Sequence, residues 1–220
     1  MKTFRKKSVV CLFACVLVLG LFVHSEKSSA HEIFYDNGTG ISLKWNWVTN
    51  GKVNLKINGN GLSSKYSKFY GDAKSAFPTA WGSSNISVVE TDANTSNIDL
   101  ATATETYWND RFGFEDGKKT YGICDMTSTD LILLDSVSNA KASSRLIRYA
   151  GILYTPWQSF SKSIERQKTM VHEIGHALGL GHPDDIRYYP VTVDSVMNQG
   201  LIDKYYLPQS HDISDLNNKY

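Results

Sequence analysis

The sequence predicts a single α/β (α+β) domain on three observations. Val53 to Ile57 alternates apolar and polar residues, as a half-buried strand does. Tyr66, Phe69, Tyr70, Ala73 and Phe77 recur at helical spacing, and a second helical run covers Met170 to Leu178. The length of 220 residues, with 41% apolar and 20% charged, suits one domain with a real core. No internal repeat or second domain is visible.

The first thirty residues stand apart from that domain. Lys2, Arg5, Lys6 and Lys7 precede an uncharged apolar stretch from Val9 to Val23, and Ser28, Ser29 and Ala30 supply the small residues that a signal peptidase requires. Residues 1–30 are therefore expected to be an export signal, with the folded domain over 31–220 and the mature protein secreted. The apolar stretch is short of the ~20 residues that span a bilayer, and the bulky Phe13 argues against lipid attachment at Cys15. Cleavage would remove five of the 23 basic residues and one of the 22 acidic ones, leaving a net charge of −3. That balance steers the protein to neither nucleic acid nor anionic membrane. Only Cys124 would remain, so no internal disulfide is expected; with no histidine or basic residue beside it, it reads as a small core residue rather than a thiolate ligand or nucleophile.

Along the domain, the strand at Val53 is expected to end in a loop at Asn58 to Gly61, and the following helix to stop at Pro78. Short strands are expected at Ile86 to Glu90, Ile98 to Ala103, Tyr121 to Met126 and Leu131 to Val137, with a loop at Asp92 to Asn97. The last long helix starts near Ser161 or Ser163, with Glu165 in its first turn at the positive end of the dipole. Met170, Val171, Ile174, Ala177 and Leu178 form its buried face, and Gly179 ends it.

The chemistry lies in HEIGHALGLGH, residues 172 to 182, where three of the six histidines fall within eleven residues. His172 and His176 are four apart, so on a helix they lie ~40° apart around the axis and one turn apart along it. Both imidazoles can reach one ion, but a catalytic zinc needs three protein ligands and a fourth position left for water. His182 is the third. A continuing helix would carry it away, whereas Gly179 can take the left-handed conformation and Gly181 can relax the turn, bringing His182 to the metal. Glu173 is not a ligand. It projects beside the ion as a general base for a water whose pKa the metal lowers to about 7.

This motif resembles that of the metzincin superfamily of zinc endopeptidases, with Gly175 and Leu178-Gly179-Leu180 closest to the matrixin and serralysin branches and Pro183 more like the serralysins. The superfamily has a methionine turn after the third histidine, and Asp194-Ser195-Val196-Met197 stands fifteen residues beyond His182. The resemblance implies that Met197 floors the zinc ligands without binding the ion. It further implies that Ser210 to Leu216 is a short helix whose Asp212 tethers that turn, that the sheet is mixed and mainly parallel, and that a small C-terminal subdomain follows the active-site helix. It makes Tyr121 to Met126 the sheet edge on which an extended substrate adds itself as a strand.

Several features depart from those branches. Gln199 stands where serralysins and astacins carry a zinc-binding tyrosine, and the calcium repeats, the structural-zinc histidines and a cysteine-switch propeptide are all missing. Calcium could bind Asp184 and Asp185, or a loop with Asn109, Asp110, Glu115 and Asp116, though solvated loop acids are the favoured reading and no ligand is assigned. Tyr188, Tyr189, Tyr205 and Tyr206 flank the methionine turn as candidate walls of a specificity pocket. The expectation is a monomeric, secreted zinc endopeptidase acting on protein or peptide substrates, with one catalytic Zn2+. Its rivals are a secreted zinc-binding recognition module, which would have no need of Glu173, and a hydrolase of small non-peptide substrates.

Overall fold

The computed structural model describes residues 43–46, 48–49, 52–80, 86–114, 120–134, 137–157, 163–183, 194–198 and 205–220. The expected export signal lies outside them. Seven strands form one sheet: β1 (Lys44–Trp45), β2 (Val48–Thr49), β3 (Lys52–Gly61), β4 (Ile86–Glu90), β5 (Ile98–Thr102), β6 (Gly122–Ser128) and β7 (Leu146–Tyr154). The helices described are α1 (Ser64–Ala80), α2 (Glu105–Phe112), α3 (Val137–Ala142), α4 (Ser163–Ala177) and α5 (Ser210–Lys219).

The main strands lie in the order β4, β3, β5, β7, β6. Val53 pairs with Ile86, Ile57 with Ile98, Ile98 with Ala150 and Tyr154 with Gly122. All of these pairings are parallel except that of β6, which runs antiparallel to β7 at the sheet edge. The two-residue β1 joins β7 in parallel, and β2 makes a hairpin with β3. The domain is thus an α/β fold with a mixed, mainly parallel sheet.

Alternation explains the inner strand β3: Val53, Leu55 and Ile57 are buried while Asn54 and Lys56 face water. The core they enter also holds Trp45, Tyr66, Ile98, Leu100, Ile152, Val171 and Ile174, each large aliphatic contributing about 1.5–3 kcal/mol on full burial. Cys124 is a free thiol in this core, and burial raises its pKa well above the ordinary value, so it packs as a small apolar residue. No helix among the described residues is long and apolar enough to cross a membrane.

Three local expectations are corrected. Asn58 to Gly61 continues β3 instead of looping: Asn58 is buried with its Nδ2 on Asp99 Oδ1 at 2.8 Å, and the register with β5 shifts here. Helix α1 runs two residues past Pro78, to Ala80. Residues 131–134, expected to open a strand from Leu131 to Val137, form a turn with an isolated bridge from Thr127 to Leu133, and α3 begins at Val137. The strand of this region is β7, whose adjacent exposed residues Arg148 and Tyr149 break the two-residue period that would reveal it.

That turn covers half of the sheet edge. Leu134 N–H donates to Met126 O at 2.7 Å and Ser128 N–H to Ile132 O at 2.9 Å. On the other side of β6, Tyr121 O receives Thr155 N–H at 3.1 Å, so by the alternation of an antiparallel strand Gly122, Cys124, Met126 and Ser128 turn their main-chain groups outward. Among the described residues, those of Gly122 and Cys124 make no outward main-chain hydrogen bond.

Candidate metal centre

Helix α4 turns Met170, Val171, Ile174 and Ala177 into the core, which fixes its rotation and sends His172 and His176 to one side. The helix ends at Ala177, and Gly179 takes φ +90°, the left-handed conformation read from the sequence. Gly179 N–H donates to His176 O at 2.7 Å and Leu180 N–H reaches back to Gly175 O at 3.0 Å. The reversed chain brings His182 to the other two histidines.

Their Nε2 atoms converge: His172 to His176 is 3.1 Å, His172 to His182 3.1 Å and His176 to His182 2.9 Å. The opposite ring nitrogens show what the convergence means. His172 Nδ1 lies 3.0 Å from Val196 O and His176 Nδ1 2.8 Å from Leu180 O. A carbonyl oxygen only accepts, so both Nδ1 atoms carry the proton. The two Nε2 atoms then face each other as bare lone pairs, which repel unless a cation lies between them. Tetrahedral zinc at bonds of about 2.0–2.1 Å holds its nitrogens about 3.3 Å apart, so the donor set fits a single zinc ion with one position to spare. Burial, reinforced by His182 and His172, keeps the His176 pKa well below its ordinary value and its ring neutral, as a ligand must be. Among the described residues this is the one group of three or more His, Cys, Asp or Glu side chains able to hold a metal.

Glu173 is only 6% exposed and lies against the start of β6, its Oε1 2.9 Å from where a β-carbon on Gly122 would stand. A side chain at 122 would displace it. Burial pushes the Glu173 carboxyl up to about 8, and the Asp125 carboxylate adds to the rise. A dication at the triad would act the other way.

Met197 is fully buried, and its Sδ presses on Gly175 of α4 so closely that a β-carbon there would collide with it. The turn carrying Met197 is held by the buried Asp212 of α5, which accepts from Ser195 Oγ, from Val196 N–H at 3.0 Å and from Gln209 N–H at 2.7 Å. Val196 O in turn orients His172. Lys168, itself buried, donates to Asn198 O at 3.0 Å and ties the far side of the turn to α4.

No protein-family model matches the chain, and no curated protein matches it. Two solved structures of myroilysin align with it. One aligns over 88% of this chain and 92% of its own length, at 13% identity and a TM-score of 0.44. The other aligns over 62% and 50%, at 14% identity and a TM-score of 0.32, so the chain spans half the length of that structure.

The remaining sequence candidates divide. Asn109 and Asp110 sit inside helix α2 rather than in a calcium-binding loop, while Glu115, Asp116, Asp184, Asp185, Tyr188, Tyr189 and Gln199 lie outside the described residues. Tyr205 donates its hydroxyl to Asp194 at the base of the methionine turn, and Tyr206 is 40% exposed. Not read from the sequence were Trp45, Lys219 and Tyr220, which reach the turn after α4 from before and after it in the chain. No spacing rule connects residues so far apart.

Proposed function

We propose that the chain is a secreted zinc-dependent endopeptidase in which His172, His176 and His182 hold one catalytic zinc and Glu173 is the general base. The observation that carries the reading is the meeting of the three Nε2 atoms, two of them left as lone pairs by their Nδ1 hydrogen bonds. Export rests on the composition of residues 1–30. Assignment to a metzincin-like class rests on HEIGHALGLGH together with Met197 and Asp212.

When bound, the ion supplies Lewis acidity to a carbonyl and to water. The outward N–H and C=O groups of Gly122 and Cys124 bind an extended peptide as an added strand. Its scissile bond then lies next to Glu173, whose carboxylate rests on Gly122. Glu173 accepts a proton from water as the water oxygen bonds to the carbonyl carbon, and gives it to the amine nitrogen as the C–N bond breaks.

The test incubates the mature protein with unfolded proteins, with and without a zinc chelator, beside Glu173→Ala. Expected are cleavage by the wild type, its loss on chelation, and loss in the variant with zinc still bound. Undiminished cleavage by Glu173→Ala would sink the mechanism, and no cleavage by a zinc-loaded wild type would replace the enzyme with a binding module.

A further inference from the structure

Every main-chain carbonyl from Ile174 to Leu180 has a donor. Ile174 O receives Leu178 N–H at 2.9 Å, Gly175 O receives Leu180 N–H and His176 O receives Gly179 N–H. A helix end ordinarily leaves its last carbonyls to water or to capping groups. Here Ala177 O receives Trp45 Nε1–H at 2.9 Å, Leu178 O receives the Tyr220 hydroxyl at 3.0 Å and Gly179 O receives the Lys219 ammonium at 3.0 Å. Leu180 O is taken by His176 itself. The Tyr220 hydroxyl also accepts Trp45 N–H at 3.3 Å, so these two residues are joined to each other as well as to the turn. They close around Gly179 because it has no side chain: a β-carbon there would stand 2.8 Å from Leu43 O and 2.9 Å from Lys219 Cε.

We infer that Trp45, Lys219 and Tyr220 are positioning residues for the third metal ligand, holding the turn at residues 177–179 in the conformation that returns His182 to His172 and His176. The inference rests on the zinc reading of the triad. Two ligands on a helix are rigid by construction, whereas the third follows a reversed turn and is only as well placed as that turn. A ligand already in place spares the metal the cost of ordering it. The positive charge of Lys219 also meets the negative end of α4.

The test uses the full chain carrying Tyr220→Phe or Lys219→Met, each of which removes a donor and keeps bulk. Zinc dissociation constants are measured by chelator competition and unfolding midpoints on the metal-free protein, and both are repeated in a His182→Ala background. Either variant is expected to weaken zinc about tenfold, at the low end of the usual effect of groups that orient ligands, and to have no further effect once His182 is gone. A merely structural role would lower the midpoint and weaken zinc equally in both backgrounds, which overturns the inference, as does an unchanged dissociation constant. Should one variant fail to fold, the other decides. A wild type that binds no zinc overturns the triad reading and this inference together; zinc bound with unmoved variants overturns this inference alone.

Discussion

A carboxyl shut away from water prefers to keep its proton, and Glu173 is in that position whenever the metal is absent. Its pKa rises from 4.5 to about 8 on folding. Between those values the unfolded chain has lost the proton and the folded chain has kept it, so stability from this group is complete below about 4.5 and is lost as pH rises through about 8. The chelated wild type should therefore lose unfolding free energy over that window at up to about 1.4 kcal/mol per pH unit, and Glu173→Gln should flatten the slope; urea titrations at several pH values check it. Gly175 gives a second prediction. Its β-carbon would strike Met197 Sδ, so Gly175→Ala should destabilise the metal-free protein by about 1–3 kcal/mol despite alanine's better helix propensity, which thermal unfolding would register. At this scale the sequence is most legible, since the three histidines that meet, Glu173 and the turn glycine fall within eleven residues. Trp45, Lys219 and Tyr220 were not legible, because each meets a main-chain carbonyl of residues 177–179, and a carbonyl leaves no residue-type signature to pair with a distant donor.

Helix α5 fastens the methionine turn through one buried carboxylate. Asp212 serves Ser195, Val196 and its own helix start at Gln209, so Asp212→Asn turns an acceptor of three donors into a group that offers a donor to some of them. The expected loss is about 2–4 kcal/mol, measured by urea unfolding, with weaker zinc binding because Val196 O orients His172. Elements with a clean period were readable: β3 by alternation, α1 and α4 by their apolar faces. Strand β7 was not, since Arg148 and Tyr149 are both exposed and two short apolar runs look like loop on either side of them. The segment read as its strand, Leu131 to Val137, is apolar for a different reason: Leu134 is buried, whereas Leu131 is 69% exposed at a left-handed φ of 65° in the turn that covers the edge of β6.

For the whole molecule, a metal that binds only the folded state adds stability by mass action. Above its dissociation constant, each tenfold rise in free zinc should add about 1.4 kcal/mol to the unfolding free energy, and His182→Ala should abolish most of that dependence; denaturation in zinc buffers reads both. The same fold that gathers the three histidines joins Trp45 to Tyr220 across 175 positions, so loss of either residue should be felt at the turn after α4. The half-covered edge of β6 carries a different consequence. An open strand edge invites pairing with another copy of the same chain, yet here the turn at 131–134 occupies the carbonyl of Met126 and the amide of Ser128. Among the described residues, the stretch that stays open is Gly122 to Cys124, which limits how far a second copy could pair along this edge. On the proposed reading, the short stretch that would receive a substrate strand is also what restricts pairing between copies.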